Sequence, residues 1–263
     1  MYDLGELVHG PKFDLSLVLP IVVLTLTMAA AGFMRGFVGF GGALVSIPVF
    51  SIFFGPLVAL PLASVSGLPS TLQLLPTAIK VSEPSFAVPL GLATFVAAPI
   101  GTWVLVSVDP QLMKIAISGF VLVMVLIIAR GAKQARHVSP AVLVGTGLFM
   151  GLAQGVAGVG GPPVVALALA RGGTAQRQRA NVLAGVTAVS AATMLPLWWH
   201  GLFTVDVIIA GIILVPVYSA GTWFGSRYFG REGQRYYRLG ALLTLMVIGV
   251  ITLGFAIRDY IGT

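Results

Sequence analysis

The sequence contains no cysteine, and only eight of its 263 residues are acidic. Without cysteine the chain can form neither a disulfide nor a thiolate metal site, and its three histidines (His9, His137 and His200) lack the spacing of metal ligands. The acidic residues fall in termini or connections, so no membrane-embedded carboxylate is expected to hold a cation or relay protons. We find no paired buried carboxylates, serine–histidine pair or phosphate-binding loop. The sequence therefore predicts no enzyme activity, metal or cofactor.

Apolar residues dominate the chain. Hydrophobic residues make up 57% of the sequence and charged residues only 9%, which is too apolar for one soluble globule of this size. The apolar stretches have the length of spanning helices and lack the short alternating pattern of a membrane barrel. Most basic residues of this +7 chain lie between the stretches, where membrane orientation explains them without a nucleic-acid partner. We predict an all-α polytopic protein of the lipid bilayer, with residues 1–263 forming a single membrane domain.

The two halves of the chain resemble each other. The segment GFMRGFVGFGG at 32–42 aligns with GLAQGVAGVGG at 151–161 at an offset of 119, and all five glycines coincide. At an offset of 120, the Gly-Thr-Trp sequence at 101–103 matches the one at 221–223. Such self-similarity predicts two homologous repeats, about 1–130 and about 138–263.

Each repeat contains an apolar run that leads into the glycine motif, a short run after it and three long segments. The run at 162–171 has about ten residues, or roughly 15 Å of helix, which is half of a hydrocarbon core about 30 Å thick. We therefore predict a Gly-broken helical hairpin plus three spanning helices in each half. The predicted segments are 15–34, 43–55, 57–79, 86–106 and 112–130, followed by 139–154, 162–171, 180–199, 206–225 and 238–257.

The distribution of lysine and arginine separates two topologies. If each motif region crosses the membrane once, the repeats are parallel and the basic residues divide six against eight between the two sides. If each motif region goes in and returns, the repeats are inverted and the division is eleven against three. Cytoplasmic connections carry an excess of basic residues, so we expect an inverted-topology repeat with both termini external. The eleven are Lys80, Arg130, Lys133, Arg136, Arg171, Arg177, Arg179, Arg227, Arg231, Arg235 and Arg238.

The glycine motifs are the first candidate for a binding site. Glycine disfavours a helix by about 1 kcal/mol relative to alanine, so a break is expected in each motif, with a helix N-terminus after it. Broken backbone at membrane depth must be buried in protein or line a cavity, and free N–H groups at a helix N-terminus attract anions. The alternative is close helix packing through the GxxxG-type spacing. The candidate substrate-binding glycines are Gly39, Gly41, Gly42, Gly158, Gly160 and Gly161.

Four polar side chains complete the predicted site. Arg35 is the only basic residue deep within the apolar sequence, and an unpaired charge there is costly. Its guanidinium either holds an oxyanion in a bidentate fashion or instead snorkels or bonds to carbonyls freed at the break. Gln154 occupies the equivalent position of the second repeat, while Gln73 and Asn181 are further candidate cavity residues. We expect these groups to bind a small anionic substrate near the bilayer midplane, with alternating access by the two halves.

These motifs resemble those of the TauE/SafE sulfite exporter family. The resemblance covers the GxxGxGG element, its second copy in GVAGVGGPPVV, the polar stretch at 176–181 and the duplicated layout. It implies export of small sulfur-containing anions, such as sulfite, sulfoacetate or related organosulfonates, across the bacterial inner (plasma) membrane. The sequence leaves open a homo-oligomer, and it leaves two rival functions, a non-transporting membrane scaffold or assembly protein and a transporter of another small solute.

Overall fold

The computed structural model describes residues 15–38, 40–130, 138–171, 174–228, 246, 250–251 and 253–261. All regular secondary structure in these residues is helical, which confirms the predicted class, and most of the predicted segment 238–257 lies outside them. The helices are α1 (Leu15–Val38), α2 (Gly42–Phe54), α3 (Pro56–Val81), α4 (Pro84–Ser107), α5 (Pro110–Arg130), α6 (Pro140–Ala157), α7 (Gly161–Arg171), α8 (Ala175–Trp199) and α9 (Val205–Tyr228). Residues 253–261 are also helical.

Five of the described helices are long and apolar enough to cross a membrane: α3, α4, α6, α8 and α9. Shorter apolar helical stretches occur at Ile21–Phe37, Gly42–Phe54 and Pro110–Val123. A hydrocarbon core about 30 Å thick needs roughly 20 apolar helical residues, a length that α3, α4, α8 and α9 exceed. The chain is a multi-pass membrane protein.

Proline and small polar residues set several helix starts. Pro56, Pro84 and Pro140 each stand at the first position of their helix, where the missing N–H would have had no intrahelical partner. The Ser139 side chain accepts a hydrogen bond from the Val142 N–H and so caps α6. Short connections then return the chain directly into the next helix.

The helix boundaries around both glycine motifs fall within the motifs. Gly41, at the start of α2, has φ +95°, and Gly158, at the end of α6, has φ +67°. This left-handed backbone is open to glycine and strained for other residues. Helix α2 has 13 residues and α7 has 11, hence about 20 Å and about 17 Å, both shorter than the hydrocarbon core. Gly39 lies outside the described residues.

Helices of the first predicted repeat (α1–α5) pack mainly on helices of the second (α6–α9). Helix α1 packs most extensively on α9, and α4 packs most extensively on α6. Helix α3 contacts both α8 and α9, while α8 also contacts α4. Helices α6, α7, α8 and α9 of the second repeat correspond to α1, α2, α3 and α4 of the first. Under this correspondence, each of these contacts has an equivalent in which the two repeats are exchanged. The core is therefore shared between the repeats.

The first two glycines of each motif allow these helices to approach closely. A Cβ at position 151 would lie 2.5 Å from the Thr94 carbonyl oxygen, and one at position 155 would lie 2.5 Å from that of Ala98. A Cβ at position 32 would overlap the Tyr218 carbonyl oxygen. The first two glycines of each motif, in GxxxG spacing, therefore allow close helix packing, as in other membrane helix pairs.

Candidate functional site

A cavity of about 200 Å³ lies where α1, α2, α3, α8 and α9 meet, with the α6 residue Gln154 in its wall. Its α3 residues fall between positions 63 and 75, near the middle of that helix. Its α8 residues fall between positions 187 and 194, at and beyond the middle of α8. The cavity thus draws on both repeats and lies at mid-length of two spanning helices.

Arg35 is the only charged residue among the described residues that line this cavity. It lies in the last turn of α1 and is 7% exposed. The ion pairs formed within the described residues do not include it. Its Nε is buried and has no hydrogen-bond partner in the described part of the chain. A buried guanidinium in this setting is costly unless an anion joins it.

The Thr71 hydroxyl on α3 forms a hydrogen bond with the Arg35 guanidinium on α1. Arg35 Nη2 donates a hydrogen bond of 2.9 Å to Thr71 Oγ1, which itself donates to the Gly67 carbonyl at 3.1 Å. Because Thr71 donates its hydroxyl hydrogen to the backbone, its oxygen lone pairs are available to accept from the guanidinium. This bond occupies one of the five guanidinium hydrogens and leaves others for a ligand.

A second arginine, and not Arg35, bonds to a backbone carbonyl near the end of α1. Arg179 Nη2 donates a hydrogen bond of 2.9 Å to the carbonyl of Gly36, near the end of α1. Such a bond stabilises the end of a helix, where carbonyls lose their intrahelical partners. Arg35 itself bonds to the Thr71 hydroxyl on α3.

Tyr218 brings a hydroxyl from α9 to the first turn of α2. The side chain is 5% exposed and lines the cavity. A Cβ at Gly42 would overlap the Tyr218 hydroxyl and lie 3.2 Å from its Cζ, so glycine is required for this approach.

Gln154 forms hydrogen bonds with the backbone of the segment between α6 and α7. Its Oε1 accepts a hydrogen bond of 2.8 Å from the Gly160 N–H, and its backbone carbonyl accepts another of 2.8 Å from the Gly158 N–H. The side chain also lines the cavity. Since Oε1 is engaged, the Nε2 hydrogens are the groups that Gln154 can offer to a ligand.

The two glycine motifs meet inside the protein. A Cβ at Gly161 would lie 3.6 Å from the Cβ of Phe40, which belongs to the first motif. Phe40 therefore covers the start of α7. None of the five candidate glycines that the structure describes (Gly41, Gly42, Gly158, Gly160 and Gly161) is among the lining residues, although Gly42 directly precedes the lining residue Ala43.

Gln73 and Asn181 lie apart from this group. The Gln73 side chain is exposed on α3 and is not among the cavity-lining residues. Asn181 is buried, and its Oδ1 accepts a hydrogen bond of 2.8 Å from the Glu83 N–H at the start of α4. Asn181 therefore caps a helix of the other repeat.

Glu83 is the centre of an ionic cluster between the repeats. Arg171 Nε lies 2.7 Å from Glu83 Oε2, and Arg177 Nη1 lies 3.7 Å from Glu83 Oε1. Arg171 also donates to the Ser85 hydroxyl at 2.9 Å. The cluster joins the connection between α3 and α4 to the end of α7 and the start of α8.

Ser66 and Ser190 bond to the backbone of their own helices. Ser66 donates to the Leu62 carbonyl and Ser190 to the Val186 carbonyl, each at one helical turn. Such bonds are usual in membrane helices and leave only the oxygen lone pairs for other partners. Ser190 and Thr187 line the cavity, while Ser66 does not.

Thr71 and Tyr218 were not among the predicted site residues. Each is a polar residue whose repeat partner is alanine, because Thr71 aligns with Ala191 and Tyr218 with Ala98 at the offset of 120. Positions where one repeat alone is polar are the sequence signal that could have found them.

The family comparison covers most of the chain. The model of the family described as Sulfite exporter TauE/SafE matches residues 24–252. This range includes both glycine motifs and every cavity-lining residue. No curated protein and no solved structure matches the chain significantly.

Proposed function

We propose that this chain, which belongs to the sulfite exporter TauE/SafE family, binds a small sulfur oxyanion in the cavity beside Arg35 and carries it across the membrane. Membership places the chain among membrane transporters of sulfur-containing anions, in agreement with the expectation that it is not an enzyme. The finer proposal concerns where the anion binds and how the two repeats move around it.

The Arg35 guanidinium, whose Nε has no hydrogen-bond partner in the described part of the chain, carries this proposal. A guanidinium offers two parallel donors that match two oxygens of a sulfite or sulfonate group. In Arg35 the buried Nε is without a hydrogen-bond partner in the described part of the chain, while one Nη2 hydrogen is fixed by Thr71. Thr71 thereby orients the guanidinium group before the anion binds, which reduces the side-chain entropy lost on binding.

Neutral donors around the cavity fit the same ligand. The first turn of α2 begins at Gly42, and its N-terminal N–H groups carry the positive end of the helix dipole. Tyr218 reaches this turn from α9, and Gln154 contributes Nε2 from α6. We assign the Arg35–Thr71 pair and Gly42 as the primary groups, and Gln154 and Tyr218 as the groups of the second repeat that orient the anion.

Two ion pairs support an inverted repeat. Glu83 pairs with Arg171, and Lys114 Nζ lies 3.2 Å from Asp259 Oδ2. In the inverted topology each pair lies on one side of the membrane. In the parallel topology the partners of each pair would be separated by the membrane thickness. We propose the inverted arrangement, with α1–α2 and α6–α7 as the broken hairpins and both termini external.

Alternating access follows from the position of the cavity between the repeats. Arg35 and Thr71 belong to the first repeat, whereas Gln154 and Tyr218 belong to the second. A rocking motion of one repeat against the other would expose this shared cavity to either side in turn. The Glu83 cluster joins the repeats at the proposed cytoplasmic side, so its opening would accompany the inward-open state.

Flux measurements test the proposed function. Purified protein is reconstituted into liposomes, and exit of radiolabelled sulfite and methanesulfonate is followed with and without protein. We expect protein-dependent flux of at least one anion, competed by the unlabelled anion and unaffected by sodium or potassium exchange. Flux indistinguishable from protein-free liposomes for both anions would refute the proposal and favour the scaffold alternative.

A further inference from the structure

We infer that the preferred ligand is a monovalent organic sulfonate with a short apolar tail, favoured over the sulfite dianion and over sulfoacetate, whose carboxylate adds a second negative charge. This inference rests on the proposed function and concerns the substrate class of the same cavity. It follows from the charge of the cavity, the distribution of its apolar residues and its volume.

The charge of the cavity matches one negative charge. Arg35 supplies the single cation among the described lining residues, and the Thr71 and Ser190 hydroxyls already donate to backbone carbonyls. A divalent anion would leave one buried charge without a counter-charge, which is strongly unfavourable in a low-dielectric environment. A single sulfonate group is neutralised completely by Arg35.

The cavity lining includes deeply buried polar groups and exposed leucine side chains. Arg35 and Tyr218 are 7% and 5% exposed. Leu68 and Leu72 are 40% and 58% exposed and lie towards the surface. A ligand with its anionic head at Arg35 therefore directs any further atoms towards leucine side chains. An apolar group suits those contacts, while the carboxylate of sulfoacetate would add a second negative charge that no described lining cation balances.

The volume of the cavity exceeds the needs of an inorganic anion. The cavity encloses about 200 Å³, several times the roughly 30 Å³ of one water molecule in the liquid. Sulfite has only four heavy atoms, so it would leave the space beside the leucines to water against apolar walls. A tail of a few methylene groups would displace that water, and burial of each methylene is favourable.

A ligand series tests this inference on the purified protein. Dissociation constants are measured by isothermal titration for methanesulfonate, ethanesulfonate, propanesulfonate, sulfoacetate and sulfite at constant pH and ionic strength. We expect affinity to rise about fourfold for each methylene buried, up to propanesulfonate, from the transfer free energy of a methylene group. Sulfoacetate is expected to bind more weakly than ethanesulfonate.

Two variants separate the leucine contacts from the general effect of a polar residue in the membrane. In Leu72→Asn the chain-length dependence should flatten, because a polar side chain replaces one that would contact the tail. Leu92→Asn changes a leucine on α4 that is 65% exposed and does not line the cavity, so the dependence should be retained. Tighter binding of sulfite or sulfoacetate than of propanesulfonate, or an equal response in both variants, would overturn the inference alone. If no member of the series binds, both the inference and the proposed function are refuted.

Discussion

Arg35 Nη2 and Thr71 Oγ1 are 2.9 Å apart and join the end of α1 to the middle of α3. The bond gives the buried guanidinium a fixed orientation without neutralising its charge. Because the cation lines a cavity shared by the two repeats, and none of the described lining residues is acidic, Arg35 is the feature that most directly indicates an anionic ligand.

Replacement of Arg35 should abolish transport. In Arg35→Gln we expect sulfite or methanesulfonate flux in liposomes to fall by about tenfold or more, since a charged hydrogen-bond donor to the anion is lost. Arg35→Lys keeps the charge but not the planar fork, so intermediate flux is expected. The matched control is Arg227→Gln, which removes an exposed arginine that lies outside the cavity and outside the Glu83 cluster. Equal flux in Arg35→Gln and wild-type protein would remove Arg35 from the site.

Thr71 should act by orienting Arg35. Thr71→Val preserves the shape but removes the hydroxyl that accepts the guanidinium hydrogen bond, and a bond to a charged group is worth about 1.5–3 kcal/mol. We expect the dissociation constant for methanesulfonate, measured by titration, to rise by about tenfold. Thr71→Ser restores the hydroxyl and should restore affinity. If Thr71→Val and Thr71→Ser bind equally well, the hydroxyl has no orienting role.

The α4–α6 interface should depend on Gly155. A Cβ at this position would lie 2.5 Å from both the Ala98 carbonyl oxygen and the Thr102 nitrogen, so Gly155→Ala forces the helices apart. Overpacking of this kind costs about 1–3 kcal/mol, which should lower the thermal unfolding temperature in detergent. Gly145→Ala, on the same helix, places its Cβ where nothing lies within 4 Å. The control should be as stable as wild type, and similar unfolding temperatures for both variants would contradict the close packing.

The inverted topology can be tested with single cysteines, because the chain has none of its own. Ser107→Cys and Thr204→Cys should both react with a membrane-impermeant maleimide on intact cells. Ser139→Cys should react only after permeabilisation. The parallel topology places positions 107 and 204 on opposite sides, so labelling of one but not the other from outside would rule out the inverted repeat.

The helical segments and the helix boundaries within the glycine motifs could be predicted from the sequence, because each depends on local physical chemistry. Helix α2 begins at Gly42 and α7 at Gly161, within the motifs where glycine disfavours continuation. Asn181 and Gln73 show the limit of such prediction. Both are polar residues in apolar segments, yet Asn181 caps α4 and Gln73 is exposed, because their surroundings depend on how the repeats pack.

The membership of Thr71 and Tyr218 in the cavity also arises from packing between distant helices. Tyr218 reaches Gly42 only because α9 lies against α1, at a separation that glycine permits. No pattern within either helix alone encodes this contact. Comparison of the two repeats position by position comes closest, since it marks where a polar residue replaces alanine.

The most direct test of the anion site is a crystal structure of the protein with 2-bromoethanesulfonate, in which the anomalous signal of bromine locates the ligand. The sulfonate is expected within hydrogen-bond distance of the Arg35 guanidinium, with bromine on the side of Leu68 and Leu72. A ligand found elsewhere, with the Arg35 guanidinium out of its reach, would contradict the account.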